Sequence, residues 1–209
     1  DVDMKNCLVC RSSLSVPFFD GGFKPLALVG WPPSNQEAIE MDVFPLRYVQ
    51  CTRCSHIWNK EFKYEDIPYE EKPNRMYNNG KYWKEYLQRV RHELTQYLPE
   101  KPTVIDVGCG EGHFIRDLAA LYAGNGKFVG FDPNTSSESG RGIEFIPGYF
   151  DPEKDVQKFA PDLIIMRHVL EHLTEPTTFI EQLANSATDV GKPVYFFAET
   201  PCIDSAIEN

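Results

Sequence analysis

Apolar positions along the chain change their period near residue 100, and this change is the first guide to its architecture. Apolar residues return every three or four positions over residues 80–98, which predicts an amphipathic helix that Pro99 and Pro102 end. Further along, helical patterns over 112–123 and 176–187 alternate with short apolar runs. The runs predict strands at 104–107, 128–131, 143–146, 163–166 and 194–198. Strands that alternate with helices indicate an α/β fold with a doubly wound parallel sheet.

The earlier part of the chain has a different pattern. Gly21-Gly22 and Pro32-Pro33 interrupt it often enough to exclude a long helix and to favour short strands and loops. One strand is predicted over residues 43–49. A charged stretch that carries Pro68 and Pro73 then has the character of a linker. We therefore predict a small β-rich module over 1–62, a linker over 63–74 and the α/β core over 75–209.

Composition and charge argue against a membrane-spanning protein and against a nucleic-acid partner. The chain has 209 residues, of which 42% are hydrophobic, and no apolar run approaches the roughly 18 residues that span a bilayer. It begins Asp1-Val2-Asp3-Met4, without the basic and apolar stretches of a secretory signal, so a cytoplasmic location is expected. The net charge is −10, and all of the excess negative charge follows Thr103. Because nucleic-acid binding depends on neutralising phosphates, this charge disfavours a nucleic-acid partner.

Four of the six cysteines form two Cys-x-x-Cys pairs, at Cys7 and Cys10 and at Cys51 and Cys54. Two such pairs supply the four thiolates that structural zinc prefers, so we predict that these residues bind one zinc ion. Four thiolates leave no open coordination position, which gives the metal a structural role. Two disulfides, or four buried thiols, are the alternatives. His56 is interpreted as a surface histidine rather than a ligand.

A glycine motif follows the first strand of the predicted core. Asp106 stands near the strand's end, before Gly108, Cys109, Gly110 and Gly112, and the next strand ends at Asp132. A glycine loop between strand and helix lets a ligand approach the backbone, and an acidic residue after the second strand is placed to accept hydrogen bonds from ribose hydroxyls. A dinucleotide is the first alternative ligand, but its fingerprint has the spacing Gly-x-Gly-x-x-Gly.

The order Asp106, Gly108, Gly110, Gly112 resembles the first motif of class I S-adenosylmethionine-dependent methyltransferases. Residues 128–132, 148–151 and 162–173 resemble their later strands and turns, so the likeness covers about residues 75–200. The resemblance implies that Asp106 and the glycine loop lie near the methionyl part of the cofactor and that Asp132, followed by Pro133, holds the ribose. It places Phe150 and Asp151 beside the adenine, and Arg167 and His168 near the sulfonium.

A four-cysteine module ahead of such a core is similar to the sugar C-methyltransferases, which act on nucleotide-linked keto-deoxysugars. This resemblance implies a small-molecule acceptor of that class. Members of that family place a third domain, with the tyrosine and histidine that abstract the proton, beyond a segment like Glu199-Thr200-Pro201. Their core has seven strands, whereas five are predicted here, so we expect the chain to be partial and to transfer methyl groups poorly.

The catalytic base is therefore unknown from the sequence. Glu171 and His172 have suitable chemistry, yet residues of this turn more often cap or orient a helix, and Tyr77 is a candidate to close over the cofactor. Two other functions remain open: an RNA methyltransferase with a zinc module, and a noncatalytic cofactor-binding fragment.

Overall fold

The structure, a computed structural model, describes residues 5–25, 32, 34–63 and 80–202. Contacts within the chain divide it into two units. The first comprises Asp1–Arg75 with Thr174–Thr178, and the second comprises Met76–Leu173 with Phe179–Asn209. No helix in the described ranges is long and apolar enough to cross a membrane.

The first unit contains a three-stranded antiparallel sheet. Its strands are β1 (Ser15–Pro25), β2 (Val43–Cys51) and β3 (Ile57–Asn59), in the order β1-β2-β3, and a short helix, α1 (Asn35–Glu40), precedes β2. The strand predicted over 43–49 is confirmed as β2. Prediction of β1 failed because its glycines and prolines favour loops. Register shifts between Pro17 and Phe19 and between Asp20 and Phe23 let this strand pair with β2.

The second unit begins with the predicted amphipathic helix, α2 (Lys81–Thr95). It then alternates strands and helices up to β8 (Tyr195–Glu199). The elements between them are β4 (Thr103–Val107), α3 (His113–Ala120), β5 (Lys127–Phe131), β6 (Ile143–Ile146), α4 (Pro152–Phe159), β7 (Leu163–Arg167), a 3-10 turn (Leu170–His172) and α5 (Pro176–Asp189). The residues of α5 up to Thr178 are counted with the first unit.

All five strands of this unit are parallel and lie in the order β6-β5-β4-β7-β8. This confirms the predicted α/β fold with a Rossmann-like sheet. The order reverses at β4, which has β5 on one side and β7 on the other. In such sheets ligands bind outside the carboxyl ends of the strands at the point of reversal. The ends of β4, β5 and β7 are therefore where a site is expected.

The three inner strands of the sheet, β4, β5 and β7, are buried on both faces, which explains their nearly uninterrupted apolar runs. Val104 belongs to one core cluster, with Ile115 and Leu118 of α3, and the neighbouring Ile105 belongs to the other, with Val156 of α4. Consecutive strand residues thus face opposite sides of the sheet. Helix α2 packs Leu87, Val90 and Leu94 on the first cluster.

Helix α4 is an element that the sequence interpretation missed. Its first turn carries Pro152, and the Asp151 side chain accepts hydrogen bonds from the backbone N–H groups of Glu153 and Lys154. Only Val156, Phe159 and Pro152 are buried, so eight residues present too short an apolar pattern to establish a helical period.

Candidate functional site

The glycine loop between β4 and α3 requires glycine at two positions, because neighbouring side chains leave no space for a Cβ there. Gly108 and Gly112 have φ of 70° and 74°. A Cβ on Gly108 would lie 2.3 Å from Cγ2 of Val169, and one on Gly112 would lie 2.3 Å from Cε1 of Phe145. Gly110 has φ of 56°, but a Cβ there would meet no atom within 4 Å. The loop therefore packs tightly at its ends and is open at Gly110, where a ligand has access to the backbone.

Asp132 directly follows β5 and is held against the glycine loop. Its Oδ2 accepts a hydrogen bond from the Gly110 N–H at 3.0 Å, and its Oδ1 accepts one from the Asn134 N–H at 2.8 Å. A carboxylate has about four acceptor positions, so two remain for other donors. Pro133 lies half-buried in the same turn. The structure thus brings Gly110 and Asp132, 22 residues apart, into direct contact.

Asp106 lies beneath this loop on β4, with only 3% of its surface exposed. Burial raises the pKa of its carboxyl to about 7; Arg167 opposes this rise and Asp132 adds to it. The neighbouring Cys109 thiol also has a raised pKa, chiefly because it is buried. A Cβ on Gly130 would lie 2.7 Å from Cys109 Sγ, so the thiol packs against β5 rather than facing outward as a nucleophile.

Arg167, the last residue of β7, is part of a polar cluster that sequence reasoning did not detect. Its Nε and Nη2 donate to Oε2 and Oε1 of Glu199, both at 3.2 Å, and its guanidinium carbon lies 4.6 Å from the centre of the Phe114 ring. Tyr86 of α2 donates its hydroxyl to Glu199 Oε2 at 3.0 Å. The parallel register of β7 and β8 pairs Arg167 with Glu199, a proximity that the sequence alone does not specify.

His168 follows Arg167 in a left-handed backbone conformation, with φ of 55°. Its backbone N–H donates to the Glu199 carbonyl oxygen at 2.8 Å, and its Nε2 lies 2.8 Å from Glu199 Oε1. The ring centre of Trp83 is 6.2 Å away. Glu171 and His172 occupy the exposed 3-10 turn that follows.

Phe150 lies in the core, with 8% of its surface exposed and its ring centre 5.4 Å from that of Phe131. Asp151 caps helix α4, and Lys154 Nζ donates to its Oδ2 at 2.6 Å. These contacts give both residues structural roles, and their contact with an adenine stays a prediction. Tyr77 lies outside the described residues.

The four cysteines of the first unit converge. All four Sγ atoms lie within 4.8 Å of one another, and the Cys7–Cys54 and Cys10–Cys51 sulfur pairs are each 3.5 Å apart. Around a zinc ion with Zn–S bonds of about 2.3 Å, tetrahedral sulfurs are separated by about 3.8 Å. The cluster therefore fits a single four-thiolate metal site, and all of these cysteines are free of disulfide bonds.

The two Cys-x-x-Cys segments have matching backbone geometry. The residue after each pair, Arg11 or Ser55, has φ of 59° or 64° and donates its N–H to the carbonyl of the pair's first cysteine. The N–H groups of Cys10 and Arg53 point at sulfur, at 3.5 and 3.4 Å. Such donors orient and stabilise thiolate ligands.

One cysteine of the cluster, Cys51, and a neighbouring histidine, His56, have shifted pKa values. Burial opposes ionisation of Cys51, but backbone N–H groups and the neighbouring thiols lower its pKa to about 6. His56 is not the surface residue that we expected: its ring stacks on Trp58 at 5.7 Å and Nε2 is buried. Burial lowers the pKa of His56. It packs beside the cluster because β3 carries Trp58 into the small core of this unit.

Comparison with known proteins identifies the second unit. No curated protein matches the chain in a sequence search. A family model described as a methyltransferase domain matches residues 80–208, which is more than half of the chain. The matched region includes the parallel sheet, the glycine loop and Asp132. A methyltransferase domain of this family implies the use of S-adenosylmethionine. Because the match covers more than half of the chain, the chain belongs to the methyltransferase domain family, with a class I fold and a four-cysteine cluster in its first unit.

Proposed function

We propose that this methyltransferase acts on a small molecule and that its acceptor is a nucleotide-linked keto-deoxysugar, methylated at carbon. The observation that carries the proposal is the four-cysteine cluster in the same chain as the methyltransferase domain. That combination supports the resemblance to sugar C-methyltransferases. The net charge of −10 favours this acceptor over RNA, the alternative with a similar zinc module.

The residues around the glycine loop suit S-adenosylmethionine. Asp132 retains acceptor capacity for two ribose hydroxyls, and the open space at Gly110 allows close approach to the backbone. Asp106 offers a buried negative charge to the methionyl ammonium group once it is ionised. When bound, the cofactor supplies an electrophilic methyl group on a sulfonium. The chain's own residues must hold it, exclude water and remove a proton from the acceptor.

We also propose that Cys7, Cys10, Cys51 and Cys54 bind one zinc ion with a structural role. The sulfur spacing, the all-thiolate donor set and the N–H groups that point at sulfur support this assignment. Because four protein ligands complete the tetrahedron, the ion stabilises the first unit and has no position for water or substrate.

A methyl-transfer assay tests the acceptor. The protein is incubated with methyl-labelled S-adenosylmethionine and a thymidine-diphosphate keto-deoxysugar. We expect label on a carbon next to the carbonyl, since only a carbonyl makes that C–H acidic. The control substrate is the same sugar nucleotide with its keto group reduced to an alcohol, which should not be methylated at carbon. Label in an RNA transcript, or in neither substrate, would contradict the proposal.

A further inference from the structure

The carboxyl ends of β7 and β8 bring together a histidine and two carboxylates next to the glycine loop. Val169 packs on Gly108, because a Cβ there would lie 2.3 Å from Val169 Cγ2. His168, the preceding residue, is therefore at the edge of the loop where the cofactor is expected. Its side chain is 41% exposed, so a second substrate has access to the ring. No role in the reaction follows for this residue from membership of the family.

Glu199 holds the His168 ring in one orientation. Its carboxylate is 11% exposed and accepts three hydrogen bonds, from Nε and Nη2 of Arg167 and from the Tyr86 hydroxyl. Those three bonds fix the carboxylate, and His168 Nε2 lies 2.8 Å from its Oε1 as an ion-pair contact. Burial opposes ionisation of Glu199, but Arg167, Tyr86 and His168 together lower its pKa. The ring nitrogen that faces this anionic carboxylate is Nε2, which therefore carries the proton.

The second ring nitrogen, Nδ1, has a different environment. Glu171 Oε1 lies 3.8 Å from it, a separation too long for a hydrogen bond. Glu171 nonetheless attracts a positive charge on the ring. Among the residues that the structure describes, the groups that face His168 are Glu199 from β8, Glu171 from the 3-10 turn and Trp83 from α2, with Arg167 bound to Glu199. With both glutamates ionised and Arg167 charged, protonation of His168 brings this group to neutrality.

From this geometry we infer that His168 is the general base that removes the acceptor's proton through Nδ1, with Glu199 as its positioning residue. This assignment replaces the expectation, drawn from the resemblance, that the base lies beyond Glu199-Thr200-Pro201. Nδ1 takes the proton from the carbon next to the acceptor's carbonyl. The electron pair of that C–H bond, carried by the enolate, forms the new bond to the methyl group, and the sulfur keeps the pair of the broken S–CH3 bond. The positive charge passes to the imidazolium, which loses its proton to solvent. This inference rests on the proposed function for the identity of the acceptor.

The first test needs no acceptor. Long-range proton–nitrogen NMR spectra of the imidazoles, assigned by loss of one set of signals in His168→Asn, report which nitrogen is protonated. We expect Nε2–H and an unprotonated Nδ1 at pH 8. In Glu199→Gln, the carboxylate beside Nε2 is lost, and we expect the preference for a proton on Nε2 to weaken. Glu171→Gln leaves the group beside Nε2 unchanged and should keep the wild-type tautomer. A proton on Nδ1 at pH 8 in the wild-type chain, or an unchanged tautomer in Glu199→Gln, would overturn the inference.

The second test follows proton removal without methyl transfer. The chain with bound S-adenosylhomocysteine is incubated with a thymidine-diphosphate keto-deoxysugar in deuterium oxide, and deuterium uptake next to the carbonyl is measured. His168→Asn should slow uptake 10²- to 10⁴-fold, the range for loss of a general base. His172→Asn, four residues away in the exposed turn, is the matched control and should retain the wild-type rate within about twofold.

Calorimetry with S-adenosylhomocysteine gives the cofactor affinity of each variant, and deuterium uptake is compared at saturating cofactor, which separates proton transfer from cofactor binding. Equal uptake by His168→Asn and wild type would show that the base lies elsewhere. If the wild-type chain neither exchanges nor methylates the sugar, the proposed acceptor is wrong. The tautomer and the response to the glutamates then decide the role of His168.

Discussion

At the scale of single residues, Asp106 combines burial with charge. Its carboxyl has a pKa of about 7 in the folded chain, because burial disfavours the ionised form, against an ordinary value of 3.8. Between these two values the folded state binds more protons than the unfolded state. Stability therefore falls as pH rises through this window, and the loss is complete above the folded pKa.

The Asp106→Asn variant removes this titration. We expect it to be more stable than wild type at pH 8, by an amount on the order of 4 kcal/mol for a pKa raised by about three units. The two proteins should be similar at pH 4. Chemical denaturation at several pH values measures the difference. Asp189→Asn, at an exposed position of α5, is the control, and a wild-type pH slope retained in Asp106→Asn would contradict the interpretation.

Asp132 is expected to determine cofactor affinity. Replacing it with alanine removes the acceptor for two ribose hydroxyls and also releases the Gly110 N–H. We expect binding of S-adenosylmethionine to weaken by about 1.5–3 kcal/mol, the range for hydrogen bonds to a charged group. Calorimetry measures this change, with Asp132→Asn as a variant that keeps one acceptor oxygen. Binding of a nicotinamide dinucleotide in place of S-adenosylmethionine would show that the glycine motif was misinterpreted.

At the scale of secondary-structure elements, the stability of helix α4 depends on its N-cap residue, Asp151. Asp151 satisfies two backbone N–H groups that no helical carbonyl reaches. Asp151→Ala should lower the free energy of unfolding by about 1 kcal/mol, whereas Asp151→Asn keeps a capping oxygen and should lose less. Urea denaturation of the three proteins compares them. Equal losses in the two variants would assign the effect to the Lys154 ion pair instead of the cap.

At the scale of the whole molecule, we predict that metal and cofactor stabilise different units. Purified protein should contain one zinc per chain by elemental analysis. Cys51→Ser should lower the melting temperature of a zinc-dependent transition, with little effect on cofactor affinity. S-adenosylmethionine at 100 times its dissociation constant should stabilise the other transition by about 2.7 kcal/mol. Differential scanning calorimetry with and without a chelator measures both.

Two outcomes would contradict this division. Protein prepared under reducing conditions that contains no metal and has its cysteines oxidised in pairs would remove the zinc assignment. A single transition that responds equally to chelator and cofactor would show that the two units unfold together.

The strands and most helices of the core were predictable because their patterns are local. Strand β6 was predicted over 143–146 and is observed over the same residues, because the buried Ile143 and Phe145 alternate with half-buried positions in a pattern that its own sequence contains. Helices α2 and α5 present several turns of apolar positions. The glycine loop was also predictable, because a strand, three glycines and a helix follow one another directly.

Tertiary structure alone decided the features that join distant residues. Strand β1 has glycines and prolines that favour loops, and it forms because β2 supplies hydrogen-bond partners. His56 was predicted at the surface, yet it is half-buried, with its ring stacked on Trp58 and its Nε2 buried.

The polar cluster at the carboxyl ends of β7 and β8 was likewise decided by tertiary structure, because its members are distant in sequence. Tyr86, Arg167 and Glu199 come from three elements, and the sequence contains each residue but no measure of their proximity. The chain's own sequence determined where polar and apolar groups occur and hence which elements form. Pairing of strands and close packing determined which polar groups meet, because hydrogen bonds act only over a few ångströms, a distance that the order of residues does not specify.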